Sequence, residues 1–150
     1  MIEQELLNDI RNSASLYEVS ELQDYDASSV ITLIQHAFID SSSGQWWWES
    51  IKGDSIVVQY RDSDGLLMLR DLIGNAESVF LVPTDDESPP WPVFTGSIFY
   101  VIELLKEIRF FEYFLTDKNG TWVIFDTHHN TLVVTGILMD KAKEFQRPLS

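Results

Sequence analysis

The sequence predicts an α+β fold: a largely antiparallel sheet with a C-terminal three-stranded meander, and helices packed against it. Three observations carry that expectation. Residues 109–136, RFFEYFLTDKNGTWVIFDTHHNTLVVTG, are β-rich and cut twice by turn residues, so they read as strands 110–116, 121–126 and 131–135. Two further runs, 55–60 and 77–82, can extend that sheet. Apolar stripes at helical spacing over 27–39 and 96–108 supply the covering layer. With 150 residues and nineteen aromatic side chains, the chain can bury one sizeable core and reads as a single domain, 1–150.

Taken in order, residues 2–11 form a helix with Ile2, Leu6, Leu7 and Ile10 along one stripe. Residues 12–26 are polar, with Leu16, Tyr17, Val19 and Leu22 suited to a short strand or a turn. Asp26 is a suitable N-cap for the next helix, whose apolar face is Val30, Leu33, Ile34, Ala37 and Phe38. Ser41 to Gly44 ends it. Trp46, Trp47 and Trp48 follow, and three consecutive indoles cannot all face one core, whether on a strand or a helix. Ser55 to Tyr60 is a strand, Arg61 to Gly65 a turn, and Leu66 to Ile73 a short helix closed by Gly74. Asp62, Asp64 and Asp71 echo a calcium loop, but Tyr60 falls where the first acidic ligand belongs, and the segment reads as a turn and a helix start.

The strand Glu77 to Val82 runs into Pro83-Thr84-Asp85-Asp86-Glu87-Ser88-Pro89-Pro90-Trp91-Pro92. Proline fixes φ, so this loop should be stiff and extended around Trp91. Thr95 or Ser97 caps the next helix, whose stripe is Ile98, Val101, Ile102 and Leu105, widened by Phe99 and Leu104. In the meander, a four-residue turn would pair Leu115 with Trp122 and Tyr113 with Ile124, gathering these four on one face. A two-residue turn on Asn119-Gly120 would instead set Asp117 against Trp122 and Phe114 against Phe125. The first register is preferred. Ile137 to Phe145 forms a closing helix, with Lys141, Lys143 and Arg147 near its C-terminal end.

Charge narrows the function classes. The net charge is −14, and residues 1–100 hold 17 acids against 4 bases while residues 101–150 hold 7 against 6. Such a field repels nucleic acid and anionic membrane and attracts a basic protein. The absence of cysteine removes disulfides, thiolate metal sites and cysteine nucleophiles, and suits a reducing cytoplasm. Acids occupy the N-terminal stretch where a secretory signal carries bases, and no apolar run approaches the ~18 residues of a membrane span. No phosphate-binding glycine loop, nucleophile elbow or dinucleotide fingerprint occurs, and no cofactor or metal is expected.

Two groups of residues are candidates for function. Trp47, Asp85, Asp86, Glu87 and Trp91 form the expected contact surface for a basic partner, with Trp46 and Trp48 structural. The alternative is a metal-dependent or acid–base hydrolase on the turn Asp126-Thr127-His128-His129-Asn130, where Asp126 could orient one imidazole. The runs FEYFLTD and WVIFDTHHNTLVVTG, preceded by PPWPVFTG and WWWESIK, resemble an uncharacterised family of small bacterial proteins, a domain of unknown function, over about residues 46–136. More loosely, the acidic balance, the length and the polar turn are similar to immunity proteins of bacterial toxin systems, including the SUKH group. That likeness implies a non-enzymatic inhibitor that binds a basic toxin or effector.

Overall fold

The meander forms, in the second of the two registers. In the computed structural model, which describes residues 2–40, 47–61, 64–74, 78–85 and 87–146, strand β5 (Tyr113–Asp117) pairs with β6 (Trp122–Asp126) so that Phe114 faces Phe125 and Tyr113 faces Asp126. The preferred register was therefore two residues out. The turn chemistry explains why: the Asp117 carboxylate accepts the backbone N–H and the hydroxyl of Thr121, and Gly120 N–H donates to the Asp117 carbonyl. A two-residue slip keeps every side chain on its face, so Tyr113, Leu115, Trp122 and Ile124 still share one side.

Seven antiparallel strands complete the sheet in the order β1-β4-β3-β5-β6-β7-β2. β3 (Ser78–Pro83) lies beside β5, while β7 (Thr131–Gly136) joins β6 to β2 (Ile56–Gln59). Both predicted extensions of the meander are thus present, one on each side. β1 (Ser20–Glu21) and β4 (Phe94–Ser97) close the other edge. β4 has no counterpart among the expected strands, because Thr95 and Ser97 both suit a helix cap. Ser97 does both jobs: it ends the strand, and its hydroxyl accepts from Tyr100 N–H as the N-cap of α4 (Ile98–Glu107).

Every residue of β5 and β6 is buried, which requires cover on both faces. On one face α4 packs with α3 (Asp64–Ile73). On the other, the hairpin turn approaches Leu33 and Ile34 of α2 (Asp24–Phe38). The N-cap of α2 is Gln23, three residues before the expected Asp26 and with no side-chain cap, and the helix buries Ala27, Val30, Ile31 and Ile34. Its stripe is rotated from the expected one, leaving Leu33 and Ala37 exposed. α1 (Gln4–Leu16) runs five residues beyond its expected end and is tied to β1 by the Arg11–Glu21 ion pair at 2.7 Å. The closing helix is short, α5 (Met139–Lys143), against β2 and β7.

Gly136 ends β7 opposite Trp122 at φ +87°. A Cβ there would meet Thr121 O at 2.3 Å and Trp122 Cα at 2.7 Å, both backbone atoms that cannot swing aside. Only glycine closes this edge of the ladder.

Candidate functional site

The polar end of the meander places two different sites back to back. The first is centred on Asp126, which is 4% exposed. Because Tyr113 opposes it across β5 and β6, the Tyr113 hydroxyl donates to Asp126 Oδ2 at 2.7 Å. Tyr60, just past β2, donates to Oδ1 at 2.5 Å. Gly65 permits this: a Cβ at that position of α3 would lie 3.0 Å from the Tyr60 ring carbons. The three side chains form the floor of a cavity of about 270 Å³ whose walls include Leu66, Leu105, Ile108 and Phe111.

Burial pushes the Asp126 carboxyl up to about 6, against the two tyrosine hydrogen bonds that favour its ionised form, with the Glu112 charge adding to the rise. Both phenols are held above their ordinary range by burial first and by Asp126 second. The phenols therefore remain donors, and the floor of the cavity carries a carboxylate in a mostly apolar setting.

The second site is the turn itself. The rings of His128 and His129 lie 4.0 Å apart between centroids, and the Trp48 indole sets its edge near both, at 5.9 and 5.7 Å. Adjacent residues meet here because they lie on the turn after β6, closed by Thr127 N–H on the Thr131 carbonyl and by Asn130 at φ +56°. Asp126 does not orient either ring. Glu112 does: its Oε2 accepts the His128 backbone N–H at 3.0 Å and pairs with Nδ1 at 2.7 Å. Glu112 is only 5% exposed, so a buried carboxylate holds a half-exposed imidazole. His128 and His129 do not line the Asp126 cavity. Among the described residues, no group of three or more His, Cys, Asp and Glu could hold a metal ion.

The expected contact residues are distributed differently from a single surface. Trp91 is buried at 6% exposure, and its indole N–H donates to the Glu87 carbonyl at 2.9 Å. Its ring meets Trp47 edge-on at 4.8 Å, and Trp47 stacks on Phe114 at 5.9 Å. Trp91 is thus a plug in the core that fastens the acidic loop, and Trp47 is half-buried above it. The loop is pinned at its start by Thr84 and Asp85 N–H on the Glu112 carbonyl. The Asp85 carboxylate is paired with Arg109 at 3.1 Å. Glu87 is exposed, and Trp46 and Asp86 lie outside the described residues.

A third feature was not legible as a site. α1 and the end of α4 border a groove of about 410 Å³ lined by Glu3, Glu5, Asp9 and Glu107, with Arg109 at its border. That arginine is shared between Asp85 and Glu3, the latter at 3.6 Å. The signal in the sequence was the count, eight acids against one base in residues 1–40, but nothing in it brought Glu107 alongside.

A family model, Family of unknown function (DUF6756), matches residues 7–146. The chain belongs to that family. The match spans almost the whole fold, from within α1 to beyond the end of α5, a wider span than the resemblance over 46–136. No curated protein and no solved structure matches the chain, and the looser likeness to the SUKH group finds no support in these comparisons. No described helix is long and apolar enough to cross a membrane.

Proposed function

We propose that this DUF6756 chain is a non-enzymatic acidic binding protein that captures a basic protein, as an immunity-type inhibitor does a bacterial toxin or effector. The observation that supports it is the groove of Glu3, Glu5, Asp9 and Glu107, whose bordering base Arg109 is already engaged by two carboxylates. Lysine or arginine side chains of a partner would meet Glu5, Asp9 and Glu107 there, Glu3 being shared with Arg109, and the surrounding negative field would speed encounter. Asp85 contributes through Arg109, which it holds beside the groove. Immobilised protein exposed to native cell extract should retain a basic protein at low salt and release it as salt rises. Retention that ignores salt, or no basic protein at all, would refute the reading.

A second reading, acid–base chemistry at the meander turn, is favoured by the Glu112–His128 pair in place of the expected Asp126. A buried carboxylate on Nδ1 is the usual way to orient a general base. Hydrolysis of a panel of ester and phosphoester substrates, abolished by Glu112→Gln and His128→Ala alike, would carry it. Inactivity of the unaltered protein on the whole panel would remove its support.

A further inference from the structure

The Asp126 cavity is a built polar site that neither the acidic groove nor the histidine turn uses. Its floor offers acceptors in a defined arrangement. Each Asp126 oxygen accepts one tyrosine hydroxyl, and an ionised carboxylate has about four acceptor positions, so roughly two remain. Both phenol protons are committed to Asp126, which leaves the phenol oxygens as acceptors too. Nothing at the floor is therefore available to donate to an anion or to a carbonyl. The walls are Leu66, Leu105, Ile108 and Phe111, with Phe110, half-exposed at 49%, on the outer side.

The two bases of the lining do not alter this polarity. Lys106 is paired with Glu103 at 3.1 Å, and Arg109 with Asp85 and Glu3, besides donating to the Phe110 carbonyl. A cavity of about 270 Å³ is below the ~300–1,000 Å³ that drug-sized ligands occupy, so a small head group on a short stem is what fits.

We infer that this cavity binds an organic cation, an ammonium, amidinium or guanidinium head on an apolar stem, with the head on Asp126 between Tyr60 and Tyr113 and the stem against Leu66, Ile108 and Phe111. The carboxylate is the one ionisable group at the floor that can neutralise such a head, and burial strengthens the attraction because solvent screens it less. The same chemistry can arrive as a free small molecule or as a lysine or arginine side chain of a bound protein. The site shares only Ile108 and Arg109 with the acidic groove, so it stands or falls independently of partner capture.

The test is calorimetric titration of the full chain with two probes, benzamidine and a capped Gly-Arg-Gly peptide, and with neutral benzamide as control. At least one cation should bind one-to-one, benzamide should bind at least tenfold more weakly, and Asp126→Asn should lose at least tenfold for the cation. Tighter binding of benzamidine assigns the site to small molecules, and tighter binding of the peptide assigns it to protein side chains. Phe110→Ala, a change at an exposed position, should also weaken binding and gives a second readout should Asp126→Asn fold poorly. Affinity should fall as pH drops through about 6, where Asp126 takes up its proton, with Tyr60, Tyr113, Glu112, Lys106 and Arg109 the other titratable groups facing it. Absence of binding by both cations at millimolar concentration, equal binding of benzamide, or an unaffected Asp126→Asn protein would overturn the inference.

Discussion

Tyr113 and Asp126 stand directly opposite each other on β5 and β6, and the tyrosine hydroxyl donates to the buried carboxylate at 2.7 Å. This pair fixes the chemistry of one end of the sheet. A carboxyl 4% exposed remains largely ionised at neutral pH only because two phenols support its charge.

Asp126 sets a pH dependence with a definite sign. Its folded-state carboxyl is raised from 3.8 to about 6, so the folded protein holds that proton more tightly than the unfolded chain. Its contribution to stability is fully present below about 3.8 and is lost as pH rises through about 6. Two pK units correspond to roughly 3 kcal/mol. Asparagine has no such titration, so the stability of Asp126→Asn relative to the unaltered protein should rise by roughly 2–3 kcal/mol between about pH 4 and pH 7. Urea unfolding at both pH values measures it. A difference that does not change with pH contradicts the assignment.

Gly136→Ala should destabilise by more than about 2 kcal/mol, combining an unfavourable φ with a backbone clash. Gly120→Ala is the control, since φ there is also positive (+65°) but the nearest atom to a Cβ is the Leu33 side chain at 3.1 Å, which can move. Thermal unfolding should rank Gly136→Ala clearly below Gly120→Ala, and the reverse ranking would show that the ladder edge does not need glycine.

Trp91 separates a core role from a surface role. A buried plug between Trp47 and Phe114 predicts that Trp91→Ala costs about 3–5 kcal/mol of stability. It should also release the loop, because the bond to the Glu87 carbonyl goes with it. Chemical denaturation checks the first, and amide exchange at Glu87 the second. An unchanged unfolding midpoint would return Trp91 to the surface.

The register error shows why the Asp126 site was hidden. In the expected pairing Tyr113 faces Ile124, and Asp126 is marked only as a partner for the histidine rings of the turn; in the observed pairing Tyr113 faces Asp126. The face assignments survived because a slip of two preserves the alternation, while the partners across the strands did not. Glu112 was concealed differently: as the residue before β5 it read as an alternating polar position of the hairpin, yet it is buried against the turn. Tyr60 could not be found from sequence, being 66 residues from Asp126 and joined to it only by β2 pairing with β7. The sheet, α3 and α4 were legible because their patterns are strong. α2 was misrotated because its run of apolar residues, from Val30 to Phe38, admits more than one stripe.

Capture of a basic protein through the acidic groove is open to test by a triple charge reversal. Glu3→Lys/Glu5→Lys/Asp9→Lys alters positions that are exposed on or just before α1, so the fold should be retained, as circular dichroism and the unfolding midpoint would verify. The measurement is the association rate of the captured partner with each protein across a salt series. The unaltered protein should associate fastest at low salt and the reversed protein should lose at least tenfold of that rate, the two converging as salt rises. Equal rates at low salt would contradict it.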